Sequence, residues 1–398
     1  MKIIRKLLPV LLVLLSRSPQ DLAAESAAKQ VGEGPKALAA QQLTIGADGT
    51  VHIPSLAVPL SAHMSEEAKK AFIKDFNDKV ELAKKVASLP AKSPPTKESR
   101  FASRCPGEES FTEQLDNQLR AFIKSGKAIY PVDIEEQRIG GVRTDVITPR
   151  GGVSARNRDR VLISLHGGGY YCSTGGGLPG QVDAIPIAGA GKFKVIAIDY
   201  RTSPKYRFPA ANEDVAAVYR ELLKRYKPEN IGMYGCSTGA TLSAGSVAWF
   251  QKEKLPRPGA LGLFGDGATK DDHVDGDGWF INWALSGHGI LAPEQSYQVL
   301  YPEPYMKGTA YNDPLVAPVV SPEVLSRFPP TLVIAGTRDM GLSEAVYTHT
   351  QLVKAGVQAD LHVWEGMWHC FFMDATLPES KEMYAVTAKF FDKNLGKK

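Results

Sequence analysis

The sequence has few cysteines, no long apolar run and little excess charge, and each shortage removes a class of protein. Four cysteines in 398 residues are too few for a scaffold built on disulfides. The one segment resembling a membrane element, Leu7 to Leu15, has nine apolar residues against the roughly 20 needed to cross a bilayer. The formal charge is only +4, and Lys2, Arg5, Lys6 and Arg17 against Asp21 account for most of it, leaving +1 beyond residue 24. Nucleic acid is therefore not an expected partner, since its recognition needs clustered basic charge. Repeats and low-complexity tracts are lacking too, and no C-x-x-C or His-rich pairing supports a metal.

What is present is an ordinary globular composition, 43% apolar and 23% charged, which excludes general disorder. The length allows two or three domains, or one large α/β domain with a smaller cap. Lys2, Arg5 and Lys6 ahead of the short apolar run read as a signal peptide over 1–24, with cleavage after Ala24 or after Ser18. The alternative is an uncleaved interfacial anchor or a buried helix. No cysteine stands close behind the run, so a lipid-anchored export form is not expected. The mature protein is expected outside the cytoplasm, periplasmic or secreted, without a stable membrane span.

Residues 25 to about 60 lack sustained periodicity and read as an exposed lead-in. Ser65 before Glu66 and Glu67 is a helix start, with the acids near the positive end of the helix dipole, and the helix is expected to run to about Val86. A second helix is expected over Phe111 to about Lys124. From Tyr130 the pattern changes. Tyr130 to Gln137 and Val142 to Thr148 around Gly140 and Gly141 predict a hairpin. Six short apolar runs follow: Val161 to Leu165, Val195 to Ile198, Ile231 to Tyr234, Leu261 to Phe264, Thr331 to Ala335 and Leu361 to Trp364. Near-continuous apolar strands mean burial on both faces, as in a mostly parallel sheet. Helical stripes at Val215 to Leu222 and Leu342 to Val353 alternate with them. The expectation is an α/β protein, an eight-stranded mostly parallel sheet with helices on both faces. The domain reading is 1–24 signal peptide, 25–128 lead-in and cap helices, and 129–398 the sheet domain, with an insertion at 266–320.

Gly235, Cys236, Ser237, Thr238 and Gly239 follow a strand and precede an Ala-rich helical stretch. Such a G-x-S-x-G turn presents the serine on a strained corner, with small neighbours to avoid clashes, and makes Ser237 the candidate nucleophile. The plainer reading is a glycine turn that holds a serine. His166, Gly167, Gly168, Gly169 and Tyr170 follow the strand ending at Leu165, 71 residues ahead of that turn. Three glycines let backbone N–H groups approach a developing oxyanion. A phosphate cradle is disfavoured because no G-x-x-x-x-G-K-[ST] or G-x-G-x-x-G pattern follows.

Among eight histidines, His369 lies just beyond the strand Leu361 to Trp364, where a loop at the carboxyl edge would carry it over the serine. Asp339 follows Thr331 to Ala335 at the same edge and is the candidate carboxylate that orients the imidazole. Asp266 and Asp374 are its alternatives, and the plainer reading of Asp339 is a cap on the helix beginning at Leu342. The order Ser237, Asp339, His369 is the one expected of a strand–turn–helix nucleophile. Cys172, Cys236 and Cys370 lie within a few residues of these motifs, while Cys105 stands apart. A disulfide is possible in an oxidising compartment. The plainer reading takes them as small buried hydrophobes in the site walls.

With Asp199, Tyr200, Arg201, Thr202, Ser203 and the stretch through Phe208 and Pro209, followed by Ala210, Ala211 and Asp214, the chain from about Val142 onward resembles the hormone-sensitive lipase family of α/β-hydrolases. The resemblance implies an α/β-hydrolase fold in which Gly168, Gly169 and Thr238 supply the oxyanion N–H groups. It also implies a cap formed by the N-terminal helices and the 266–320 insertion, and structural roles for Asp199, Arg201 and Asp214. No cofactor is implied. Cys236 stands where the family commonly has Asp, Thr238 where it has Ala, Ala240 where it has Gly, and Lys205 where it has Glu. Its relatives among acetyl-ester and monoterpene lactone hydrolases imply a small-molecule substrate, a short- or medium-chain acyl ester or a lactone. Trp279, Trp283, Tyr297, Tyr301, Tyr305 and Tyr311 would line an apolar pocket or form the insertion's own core. Two rival readings are a non-catalytic receptor of the same fold, which predicts loss of a triad member, and a serine amidase or peptidase.

Overall fold

The computed structural model describes residues 44–45, 51–52, 58–88, 109–170, 177–203, 205–269, 277–286, 304–310 and 312–396. The expected signal peptide lies outside them. The chain divides into two compact units after Pro59. In the first, the described residues form one small antiparallel hairpin, β1 (Thr44–Ile45) and β2 (Val51–His52).

The second unit begins with α1 (Glu66–Ser88) and α2 (Glu109–Ile129). Ser65 caps α1, its hydroxyl accepting the Ala68 N–H at 3.1 Å. The same hydroxyl donates to Glu379 Oε2 at 2.9 Å, and the Ser65 N–H donates to Oε1 at 2.7 Å. One carboxylate thus docks the start of α1 onto a helix more than 300 residues away. The second helix runs five residues past the expected Lys124, because its last turn lies against a later helix: a Cβ on Gly126 would sit 3.6 Å from Ile185. Packing there overrides the low helix propensity of Ser125 and Gly126.

The sheet follows as β3 (Val132–Ile139), β4 (Val142–Pro149), β5 (Val161–Leu165), then α3 (Leu178–Gly191), β6 (Lys194–Ile198), α4 (Ala210–Leu223), β7 (Ile231–Cys236), α5 (Thr238–Lys252), β8 (Ala260–Phe264), α6 (Asp277–Leu285), β9 (Thr331–Arg338), α7 (Leu342–Lys354), β10 (Ala359–Trp368) and α8 (Pro378–Asn394). The eight strands lie in the order β10-β9-β8-β7-β5-β6-β4-β3. Only β4 runs against its neighbours β3 and β6, and every other pairing is parallel. This is the α/β-hydrolase fold, with the expected number and direction of strands.

Side-chain alternation divides the core in two. Ile163, Ile196, Met233, Leu261 and Val333 point to the face covered by α4, α5 and α7. Leu162, Val195, Tyr234, Phe264 and Leu332 point to the face where α1, α2, α3 and α8 contribute. The N-terminal helices therefore share a core with α3 and α8. Among the described residues no helix is long and apolar enough to cross a membrane.

Candidate active site

The sheet brings its catalytic candidates to one edge, where β7, β9 and β10 end. All six residues of β7 are buried. Beyond Cys236 the backbone turns sharply at Ser237, with φ 56° and ψ −131°, and α5 starts at the next residue. A non-glycine residue at positive φ is strained and persists only where its surroundings impose it. Here the Ser237 N–H donates to Phe264 O of β8 at 2.8 Å, and Ser237 O accepts the Ala240 N–H at 2.7 Å. The flanking glycine is sterically required: a Cβ on Gly239 would lie 2.0 Å from Leu165 O.

Asp339 directly follows β9 and is only 1% exposed. Its Oδ1 accepts the Gly341 N–H at 2.8 Å and the His369 Nδ1–H at 2.7 Å. The carboxylate is acceptor-only, so Nδ1 is the donor and Nε2 is the nitrogen left to act as base. Asp339 thus orders the turn into α7 and the imidazole with the same oxygen, while Gly341 takes the cap position itself. The register explains the meeting. β10 runs to Trp368, four residues past its expected end, with an irregularity between Trp364 and Trp368. Trp368 pairs with Arg338, so the next residues, His369 and Asp339, stand side by side. The alternatives are engaged elsewhere: Asp266 Oδ1 accepts the Gly267 N–H, and Asp374 Oδ1 accepts from Thr376.

Of the other histidines, His166 is buried, and burial pushes its imidazole below the ordinary pKa, holding it neutral. Its ring stacks on Tyr200 at 4.2 Å. His349 Nε2 lies 3.3 Å from Ala359 O.

The glycine run lies directly on the elbow, since a Cβ on Gly167 would sit 3.0 Å from Ser237 Cβ and 2.8 Å from Cys236 O. The stretch from Asp199 holds the loop in place. Tyr200 donates to His166 O at 2.6 Å, and Ser203 donates to Tyr170 O through its N–H at 2.9 Å and its hydroxyl at 2.8 Å. Arg201 and Asp214 anchor that stretch to α4, Arg201 Nε donating to Asp214 Oδ1 at 2.8 Å. Asp199 lies 3.6 Å from Arg143. Tyr305 stacks on Tyr170 at 4.5 Å and its hydroxyl accepts the Ala211 N–H, so it is a core residue and not a pocket wall. The side chains of Trp279, Trp283, Tyr297, Tyr301 and Tyr311 lie outside the described residues.

Three features escaped the sequence. The Gly169 N–H, an expected oxyanion donor, donates instead to Thr238 Oγ1 at 3.1 Å. Asn282 of α6 is buried and donates through Nδ2 to Asp339 O at 2.8 Å, and no motif announces it. Cys236 and Cys370 form a disulfide, with Cα atoms 6.6 Å apart, a pairing the sequence left open, which corrects the plainer reading of both as buried hydrophobes. Cys105 and Cys172 lie outside the described residues. Each of these features depends on proximity between distant segments.

The family model described as alpha/beta hydrolase fold matches residues 162–373, which contain the glycine run, the elbow, Asp339 and His369. An esterase of Acinetobacter venetianus is 24% identical over 288 residues, covering 69% of this chain and 88% of the esterase. Among solved structures, the crystal structure of an esterase, E25, superposes with a TM-score of 0.71 at 30% identity, covering 86% of this chain and 98% of that one. An esterase from the bacterial hormone-sensitive lipase family superposes with a TM-score of 0.61 at 25% identity, over 81% and 99% of the two chains. With the fold, the strained elbow and these likenesses together, the chain belongs to the α/β-hydrolases of the esterase and lipase, hormone-sensitive-lipase-like family.

Proposed function

We propose that the protein is an exported serine carboxylic-ester hydrolase acting on short- to medium-chain acyl esters or lactones. The observation that carries the reading is the 2.7 Å bond from His369 Nδ1 to the buried Asp339 carboxylate, on the loop tied by the disulfide to the strained Ser237 elbow. Ser237 Oγ attacks the acyl carbonyl as His369 Nε2 takes its proton. The tetrahedral oxyanion develops against the N–H groups of Gly168, Gly169 and Thr238. His369 then protonates the leaving alcohol, and water repeats the sequence on the acyl-enzyme. Asp339 fixes the tautomer and stabilises the imidazolium without itself taking the proton. Before the Gly169 N–H can serve the oxyanion it must leave Thr238 Oγ1. Export is supported by the basic and apolar N-terminal segment and by a disulfide, which persists in oxidising compartments.

The test is a series of p-nitrophenyl esters of increasing acyl length, with lactones and a peptide anilide, run on the wild type and Ser237→Ala. Turnover of the short esters, lost to background in a folded Ser237→Ala, is the expected result. A fluorophosphonate should label the wild type at Ser237. Substantial hydrolysis by Ser237→Ala would sink the assignment, labelling without any turnover would favour a receptor, and preference for the anilide would favour an amidase.

A further inference from the structure

Ser237 and His369 follow strands that are not neighbours. β8 and β9 lie between β7 and β10, and at about 4.8 Å per strand step the two strand ends are on the order of 14 Å apart within the sheet. The loop after β10 must fold back across the ends of β9 and β8 to bring an imidazole to the serine. On the β9 side it is held by the Asp339 carboxylate. On the far side, Ser380 Oγ donates to Phe371 O at 3.3 Å and the Tyr384 hydroxyl donates to Phe372 O, fixing the following turn to α8. Beneath it lies Gly265 at the end of β8, where a Cβ would come within 3.3 Å of both His369 Cε1 and Cys370 Sγ. The covalent tie toward β7 is the disulfide, which joins the residue before the nucleophile to the residue after the base, 134 positions apart.

Resting on the ester-hydrolase reading, we propose that the Cys236–Cys370 disulfide is a positioning element of the active site, fixing the span between the serine elbow and the histidine loop. Both half-cystines are buried, at 1% and 5% exposure, which suits a permanent brace better than a bond opened and closed by a passing thiol. A misplacement of about 1 Å between reacting groups can cost on the order of 100-fold in rate. A covalent link one residue from each group restrains the distance at that scale.

The test is the double variant Cys236→Ala/Cys370→Ala, assayed with p-nitrophenyl acetate well below its melting temperature and checked for native circular dichroism. We expect kcat to fall about 10- to 100-fold while KM stays within about threefold. Fluorophosphonate should still label one serine per chain, more slowly. A lowered melting temperature with kcat within twofold of wild type would reduce the disulfide to a stabilising staple and overturn the proposal. As a second measurement, independent of how the variant folds, the wild type is reduced with a phosphine, which is oxidised as the disulfide becomes two thiols. Activity should fall in step with the thiols counted by mass spectrometry and return on reoxidation, and full activity with both thiols free would again overturn it. Failure here leaves the wild type turning over short esters and Ser237→Ala inactive, whereas failure of the ester-hydrolase reading leaves either a wild type without ester turnover or an active Ser237→Ala.

Discussion

Asp183 offers a quantitative test of the packing beneath the site. It lies on α3, is 3% exposed, and among the described residues neither carboxylate oxygen has a well-formed hydrogen bond, Ser164 and the N–H groups of Asp183 and Ala184 approaching it only weakly; the Ser164 Oγ and Tyr234 hydroxyl are likewise short of a well-formed partner. Burial pushes its carboxyl from the ordinary 3.8 up to about 7, with Ser164 and the N–H groups of Asp183 and Ala184 pulling partly the other way. The same burial, with the Asp183 charge adding to it, raises Tyr234 well above its ordinary value. A carboxyl whose folded pKa exceeds its unfolded one binds a proton on folding. Its contribution to stability is therefore full near pH 4, declines as pH rises to about 7, and is level above that. The difference between 3.8 and about 7, at about 1.36 kcal/mol per pKa unit, amounts to about 4 kcal/mol. Asp183→Asn keeps the shape, never ionises, and offers two N–H donors to Ser164 Oγ and the Tyr234 oxygen. Urea unfolding of both proteins at pH 4.5, 6 and 8 isolates this group, because every other titration is common to the two. The variant should exceed the wild type by only about 1 kcal/mol at pH 4.5 and by up to about 4 kcal/mol at pH 8. An equal difference at every pH, or a variant weaker at pH 8, would refute the buried neutral carboxyl.

Asp339→Asn should leave the fold intact and lower kcat by on the order of 10⁴, the scale set by removing the orienting carboxylate in serine hydrolases. A loss under tenfold would show that another acid serves His369. Thr238→Ala frees the Gly169 N–H from its present acceptor. At about 1 kcal/mol for that bond, kcat/KM for an acetyl ester should rise roughly two- to fivefold, and a tenfold fall would show instead that the hydroxyl organises the loop. Gly239→Ala places a methyl 2.0 Å from Leu165 O and 2.6 Å from His166 O, both rigid backbone. It should cost about 3 kcal/mol or more in urea unfolding, and wild-type stability would mean the elbow is looser than these contacts require.

Strands were legible where burial on both faces leaves a short apolar run between Gly, Pro or Asp, as at Val161–Leu165 and Ala260–Phe264. The end of β10 was not, because Glu365 to Trp368 carry no alternation and are held by pairing with β9 beyond an irregularity. α3 left no amphipathic stripe: it is apolar on nearly every side, contains Pro186, and is buried through most of its length. Such a helix has no polar face to set a period. Within the site, Ser237, Asp339 and His369 were found by their position after strands, a property of the local chain. The contacts of Asn282 with Asp339 O and of Thr238 Oγ1 with the Gly169 N–H join segments 57 and 69 residues apart, and no spacing rule foretells them. The disulfide belongs with these, since cysteine count alone does not give connectivity.

The segments outside the sheet act on the residues next to the acid and the base. Phe72 of α1 lies under the Arg338 guanidinium at 5.2 Å and against the Trp368 ring at 5.6 Å. Those two residues immediately precede Asp339 and His369. Asn282 holds Asp339 O, and Lys79 of α1 donates to Ser286 O at 3.1 Å, linking the helix to the end of the segment that carries Asn282. Glu379, through Ser65, fixes where α1 begins. Each contact is modest by itself, about 0.5–2 kcal/mol for a cation over a ring and about 1 kcal/mol for a hydrogen bond. Their placement matters more than their strength, because the imidazole must be held to a fraction of an ångström against its carboxylate and its serine. The N-terminal helix, through Phe72 and Lys79, and the insertion, through Asn282, thus buttress the Asp339 and His369 loops, and the disulfide adds a covalent restraint toward the serine elbow.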